Sequence, residues 1–213
     1  MADRRLLWTG IAGPLVFLAT VIAGGLAEPG YSHVGRAVSE LAQRGAPNAF
    51  AVSVGFAISA VLCGVLGVGI VRQAGAGEPR LRRTGWLLVA YAVAAFLCGT
   101  IFPMDPFGAE LTFRGLMHIV LVAASAFILI GALALGGVAL RARAPWFPAY
   151  SRASIAAMLA GGALSAVAGA YGISVLGAAE RLTQASYLLW IAVFAILLLR
   201  RDSRTLPPGP QRA

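Results

Sequence analysis

The chain predicts an all-α, six-helix transmembrane bundle with both termini cytoplasmic, and three observations predict it. Of its 213 residues, 59% are hydrophobic and only 12% are charged, too apolar a balance for a soluble globule of this size. The apolar residues fall into six runs, each close to the ~20 residues that a bilayer core requires. The basic residues are all arginine, 17 of them, and they crowd every second gap between the runs.

The first run, 6–27, follows Arg4 and Arg5 and ends in Gly-Leu-Ala at Ala27, so it also has the outline of a signal peptide. It exceeds the roughly 7–15 apolar residues of such a segment and reads as a retained anchor. In the gap after it, Ser32 suits an N-cap, Gly45 a helix end and Pro47 the first turn of the next span. Val34, Val38 and Leu41 recur at helical spacing, while Arg36, Glu40 and Arg44 lie four apart on another face. The pattern predicts a short amphipathic helix in the first outward loop. The second run, 49–71, repeats small residues at Gly55, Ser59, Cys63 and Gly67, and the fifth, 153–178, does so at Gly161, Ser165 and Gly169. Such stripes let helix backbones approach closely, here within one bundle. Runs 85–102, 115–140 and 182–199 complete the set, making residues 1–204 a single six-span membrane domain. Residues 205–213, with Pro207, Pro208 and Pro210, read as a disordered cytoplasmic tail.

The orientation comes from charge. The N-terminus, second gap, fourth gap and tail hold thirteen arginines and three acids, while the other gaps hold four arginines and five acids. Net charges of +10 and −1 on the two sides place both termini in the cytoplasm of a cell with an inner (plasma) membrane. Trp8, Trp86 and Trp146 fall at the same cytoplasmic level, as an interfacial belt would place them. Arginines that flank apolar runs do not form a nucleic-acid stripe, so the bilayer and no nucleic acid is the implied partner. Arginine in place of lysine, with abundant Ala and Gly, also matches the usage of GC-rich bacteria. Cys63 and Cys98 lie inside runs, without CxxC spacing, and read as packing residues.

The outward gaps collect the polar chemistry. Asp105 sits between Pro103-Met104 and Pro106, at the outer end of the third run. Glu110, Arg114 and His118 are four apart and share a helix face if the fourth helix extends upstream. His118 lies about one turn, ~5 Å, inside the fourth run, where an ionisable group normally faces the bundle interior. The last outward gap is read at Glu180-Arg181. Two functions follow. In the first, an outward polar pocket binds or processes a lipid- or isoprenoid-like amphipathic molecule by acid/base chemistry. His118 is then the base, Asp105 its orienting partner, and Glu40 or Glu180 the acid, with Ser39, Arg36, Arg114 and Arg181 binding substrate. In the second, the chain is a non-catalytic scaffold, accessory subunit or transport-related protein, and its charges are a solvated ion-pair ladder. The runs carry only Ser, Thr, Cys and Tyr at mid-depth, which argues against a conduction path across the bilayer. No HExxH or comparable spacing assigns a metal, and no motif assigns a cofactor.

Tyr31-Ser32, Val38-Ser39-Glu40-Leu41, Gly45-Ala46-Pro47, Phe102-Pro103-Met104-Asp105 and His118 together resemble the bacterial and archaeal membrane family known as domain of unknown function 998. The resemblance covers about residues 6 to 200. It implies a six-span membrane fold and carries no activity onto Glu40, Asp105 or His118.

Overall fold

The computed structural model describes residues 2–201, so the expected tail at 205–213 lies outside the described residues. Helix α1 (Ala2–Leu7) turns at Trp8 into α2 (Thr9–Ala27), and together they supply the first span, Arg4–Ala27. The other spans are α3 (Ala49–Gln73), α4 (Pro79–Thr100), α5 (Phe113–Ala139), α6 (Phe147–Tyr171) and α7 (Leu176–Arg201). Among the described residues six helices are thus long and apolar enough to cross a membrane, and there is no strand. Each helix packs on its neighbour in sequence, and α7 returns to α2, so the spans close into a ring. An Arg4 guanidinium N–H donates to the Leu199 carbonyl (3.3 Å), which places the start of the chain and the end of α7 at one end. We call this the terminal end, and the opposite one, formed by connections 28–48, 101–112 and 172–175, the site end.

Several boundaries differ from those read by hydropathy. Helix α4 begins at Pro79, a proline in its first turn, so Arg80, Arg82 and Arg83 are helical residues that extend the span into the polar interface. Helix α6 likewise begins at Phe147 with Pro148 in its first turn. The last turn is not at Glu180-Arg181. It falls at 172–175, where Gly172 takes the left-handed conformation (φ +63°) and its N–H donates to the Ala168 carbonyl. That position favours glycine, which has no Cβ to clash there. The apolar run passes straight through this turn, so hydropathy alone had no mark to stop at.

Small residues set the closest helix contacts. A Cβ on Gly67 would come within 2.6 Å of the Gly85 carbonyl, and one on Gly85 within 2.8 Å of the Gly67 carbonyl. Thus α3 and α4 meet backbone to backbone. Ser59 donates to the Gly13 carbonyl (2.9 Å), fixing α3 on α2, and Gly55 sits against Thr20. The expected stripe on α3 therefore packs inside the bundle. The stripe on α6 divides: Gly161 lies against Ala179 and Thr183 of α7, whereas a Cβ added at Gly169 would point into open space.

The terminal half is filled by aromatic packing. Trp190 stacks on Phe194 (ring centroids 4.7 Å apart) and on Phe147 (5.6 Å), and its indole N–H donates to Ser151 Oγ (2.8 Å). All three rings are fully buried. Trp8, Trp86 and Trp146 are exposed at the terminal end, as amphipathic rings at a membrane interface are.

Candidate functional site

The first connection at the site end folds back as a knot on the start of α7. The expected amphipathic helix is contracted to a single 3-10 turn, Ser39–Ala42, whose Glu40, Leu41 and Ala42 are buried. Ser32 Oγ accepts from the Gly35 N–H (3.0 Å), and Gly45 turns the chain at φ +85°. The Ala178 N–H, an unpaired donor of the first turn of α7, donates to the Val34 carbonyl (2.9 Å). Gly177 lies directly under the Arg36 carbonyl, leaving no space for a Cβ.

Charge holds the knot together. Arg36 bridges Glu28 (2.6 Å) and Glu40 (2.8 Å), and these bonds, Glu40's first, raise its pKa against the cost of burial. The other Glu40 oxygen accepts from the Ala37 N–H (2.6 Å). Arg181 donates to the carbonyls of Gly177 (2.9 Å) and Arg36 (3.2 Å), to the Tyr31 hydroxyl (2.9 Å) and to His33 Nδ1 (2.9 Å). Since arginine only donates, His33 presents a lone pair there. Tyr31 in turn donates to the Ala37 carbonyl (2.8 Å). Burial raises its hydroxyl pKa, and Arg181 offsets part of that.

Beside the knot a cavity of about 770 Å³ opens among the helices, within the range of small-molecule sites. Four polar residues from separate elements reach its site end: Ser39, Asp105, His118 and Glu180. Glu180 sits on α7 because that helix starts earlier than hydropathy indicated. Its carboxylate accepts from the Val38 N–H (2.7 Å) and stands 3.5 Å from Ser39 Oγ. Asp105 accepts from the Thr112 N–H (2.7 Å) and from the Thr112 hydroxyl (2.9 Å). Thr112 is itself the N-cap of α5, accepting from the Gly115 N–H (3.2 Å). The Thr112 N–H above all holds the Asp105 carboxyl below the ordinary aspartate range. Outside it lies Arg44, whose Nε is 3.9 Å from Asp105.

His118 is oriented by backbone and not by Asp105. Its Nδ1 lies 2.9 Å from the Phe102 carbonyl, an acceptor only, so Nδ1 carries the proton and Nε2 the lone pair of the neutral ring. Cys98 Sγ is 3.3 Å from the same nitrogen. Deeper, the lining is mostly apolar, with polar points at Ser59, Cys63, Tyr91 and Tyr187 and, on the α5–α7 side, at Ser125, Ser165, Thr183 and Gln184. The two tyrosine rings meet edge to face (5.6 Å). Along α7 the lining ends at Ile191, beside the Trp190 stack. One flank is formed by α5 and α6. These helices touch near their joined ends, where Gly137 lies against Ser151 and Pro148. Towards the site end Ile119 and Val122 of α5 line the cavity yet are 56% and 51% exposed, and Gly162, Ala166 and Gly169 of α6 are lining and exposed as well.

Of the expected site residues, Ser39, Asp105, His118 and Glu180 converge on this cavity. Glu40 is buried behind it with both oxygens bonded in the knot. Arg36 and Arg181 also belong to the knot. Arg114 is exposed at the start of α5, and Glu110 lies before that helix begins, so the ladder with His118 does not extend to it. Sequence reading did not name His33 or Tyr187, placed Tyr31 only in the family resemblance, and read Cys98 only as a packing residue and Tyr91 only as a mid-depth polar residue. The signal for His33 was its i, i+2 spacing from Tyr31 in a polar gap; Cys98, Tyr91 and Tyr187 sit unmarked in apolar runs. Among the described residues no group of three His, Cys, Asp or Glu side chains is placed to hold a metal.

A family model described as "Protein of unknown function (DUF998)" matches residues 11–197. No curated protein and no solved structure gives a match.

Proposed function

Because the chain belongs to the DUF998 family of proteins of unknown function, whose description assigns no activity, we propose its role from the cavity alone. This multi-pass membrane protein takes a lipid- or isoprenoid-like amphipathic molecule laterally from the bilayer. The molecule enters through the gap between α5 and α6 and its apolar chain occupies the 770 Å³ cavity. Its headgroup rests among Ser39, Asp105, His118 and Glu180. The observation that carries this reading is the meeting of four polar side chains, from four separate elements, at one end of a mostly apolar space. Positive-inside charge adds the orientation: termini in the cytoplasm, pocket facing outward from the plasma membrane.

The chemistry available to such a rim is proton transfer. Neutral His118 accepts a proton at Nε2 while the Phe102 carbonyl fixes the ring, and Glu180 is the carboxyl across the mouth. The packed terminal half, with Trp190 fully buried, supports binding over conduction. A purely structural reading, a scaffold or accessory subunit, is favoured by one observation: Arg36, Glu40 and Arg181 are spent on folding the first connection.

Native mass spectrometry of the protein purified with its membrane lipids tests the choice. A defined bound species is expected in wild type, reduced in His118→Ala and absent from Ala126→Phe, which fills the lining. A wild-type spectrum free of any bound species would favour the scaffold.

A further inference from the structure

The charged side chains at the site end are divided unevenly between the knot and the cavity. Four arginines lie near this end, and phosphate would be their natural ligand. None of them lines the cavity. Arg36 is held between Glu28 and Glu40. Arg181 donates to two backbone carbonyls, Tyr31 and His33. Arg44 approaches Asp105 only from outside, half exposed and at 3.9 Å, and Arg114 is exposed on α5. The charged groups that face inward are of the other sign, the carboxylates of Asp105 and Glu180, alongside the His118 imidazole, the Ser39 and Thr183 hydroxyls and the Gln184 amide. The Asp105 side chain is only 8% exposed. An anionic headgroup entering here would meet two carboxylates and no lining cation, a repulsion that Arg44, half exposed and 3.9 Å from Asp105, offsets only in part. An ammonium would gain charge-assisted hydrogen bonds, and a hydroxyl would gain ordinary ones.

We propose that the pocket is selective for amphiphiles bearing an amine or hydroxyl headgroup and rejects those bearing phosphate. This rests on the lateral-entry reading above and narrows it. The arginines, the obvious phosphate ligands in the sequence, serve instead to shut phosphate out by being used up in the fold. Selectivity of this kind comes from a repulsive element as much as from an attractive one.

Three probes of equal chain length, a primary alkylamine, an alkanol and an alkyl phosphate, separate the possibilities when each is added to the delipidated full chain in an uncharged detergent. Bound fractions are read by native mass spectrometry. The amine and the alkanol should be retained and the phosphate not. Glu180→Gln should weaken the amine about tenfold, the loss expected for one hydrogen bond to a charged group, with little change for the alkanol. Asp105→Asn, which keeps an acceptor for Thr112, provides the same comparison if Glu180→Gln does not fold. Phosphate bound as well as the amine, or amine binding indifferent to both substitutions, overturns the headgroup assignment and leaves the cavity reading intact. Retention of none of the three by wild type overturns both.

Discussion

At the scale of single residues, Asp105 carries the sharpest expectation. Its carboxylate joins the 101–112 connection to the cap of α5 through the Thr112 N–H and hydroxyl, and these bonds depress its pKa. A carboxyl depressed in the folded state adds stability above its unfolded-state pKa, and that contribution disappears as pH falls through the folded value. The unfolding midpoint should therefore drop on acidification below the ordinary aspartate range, and drop less in Asp105→Asn. Equal acid sensitivity in the two proteins would show that the cap carries no such linkage. Asp105 was legible in the sequence as an outward acid between prolines, but its partner was not. Only the folded connection shows that it serves Thr112 while the Phe102 carbonyl orients His118.

At the scale of elements, α6 offers an internal control. Gly161 lies against α7, where a Cβ would come within 2.8 Å of the Ala179 carbonyl and 2.5 Å of the Thr183 hydroxyl. Gly169 has the same spacing pattern but open space around it. Gly161→Ala should lower the thermal unfolding midpoint, as overpacking costs ~1–3 kcal/mol. Gly169→Ala should leave the midpoint unchanged or raise it, since alanine is the better helix former by up to ~1 kcal/mol. If both substitutions destabilise alike, α6 packs along its whole length and the gap beside α5 is closed. The small-residue stripe was plain in the sequence. Which half of it packs was not, because spacing identifies a face and not what lies opposite that face.

At the scale of the whole molecule, the arginine distribution predicts topology. A reporter fused after the last residue, of a kind active only in the cytoplasm, should be active, and a cysteine placed at the exposed Ala109 in the 101–112 connection should react with an impermeant thiol reagent added outside intact cells. The reverse pair of results would invert the pocket toward the cytoplasm. The six spans and the grouping of the acids at one end were available from hydropathy and charge alone. The start of α7 was misread by six residues, and that shift matters: it moves Glu180 from a loop onto a helix and so into the cavity.

The amino-acid order by itself settled the number of crossings, their approximate limits and which connections share a side. It could do so because a bilayer selects each helix separately, by its own length and polarity. Packing decided the rest. Whether an arginine faces a ligand or a backbone carbonyl depends on how a connection folds against a helix distant in the chain, as Arg181 and Tyr31 show. Such contacts lie 150 residues apart, and no periodicity within a single run encodes them.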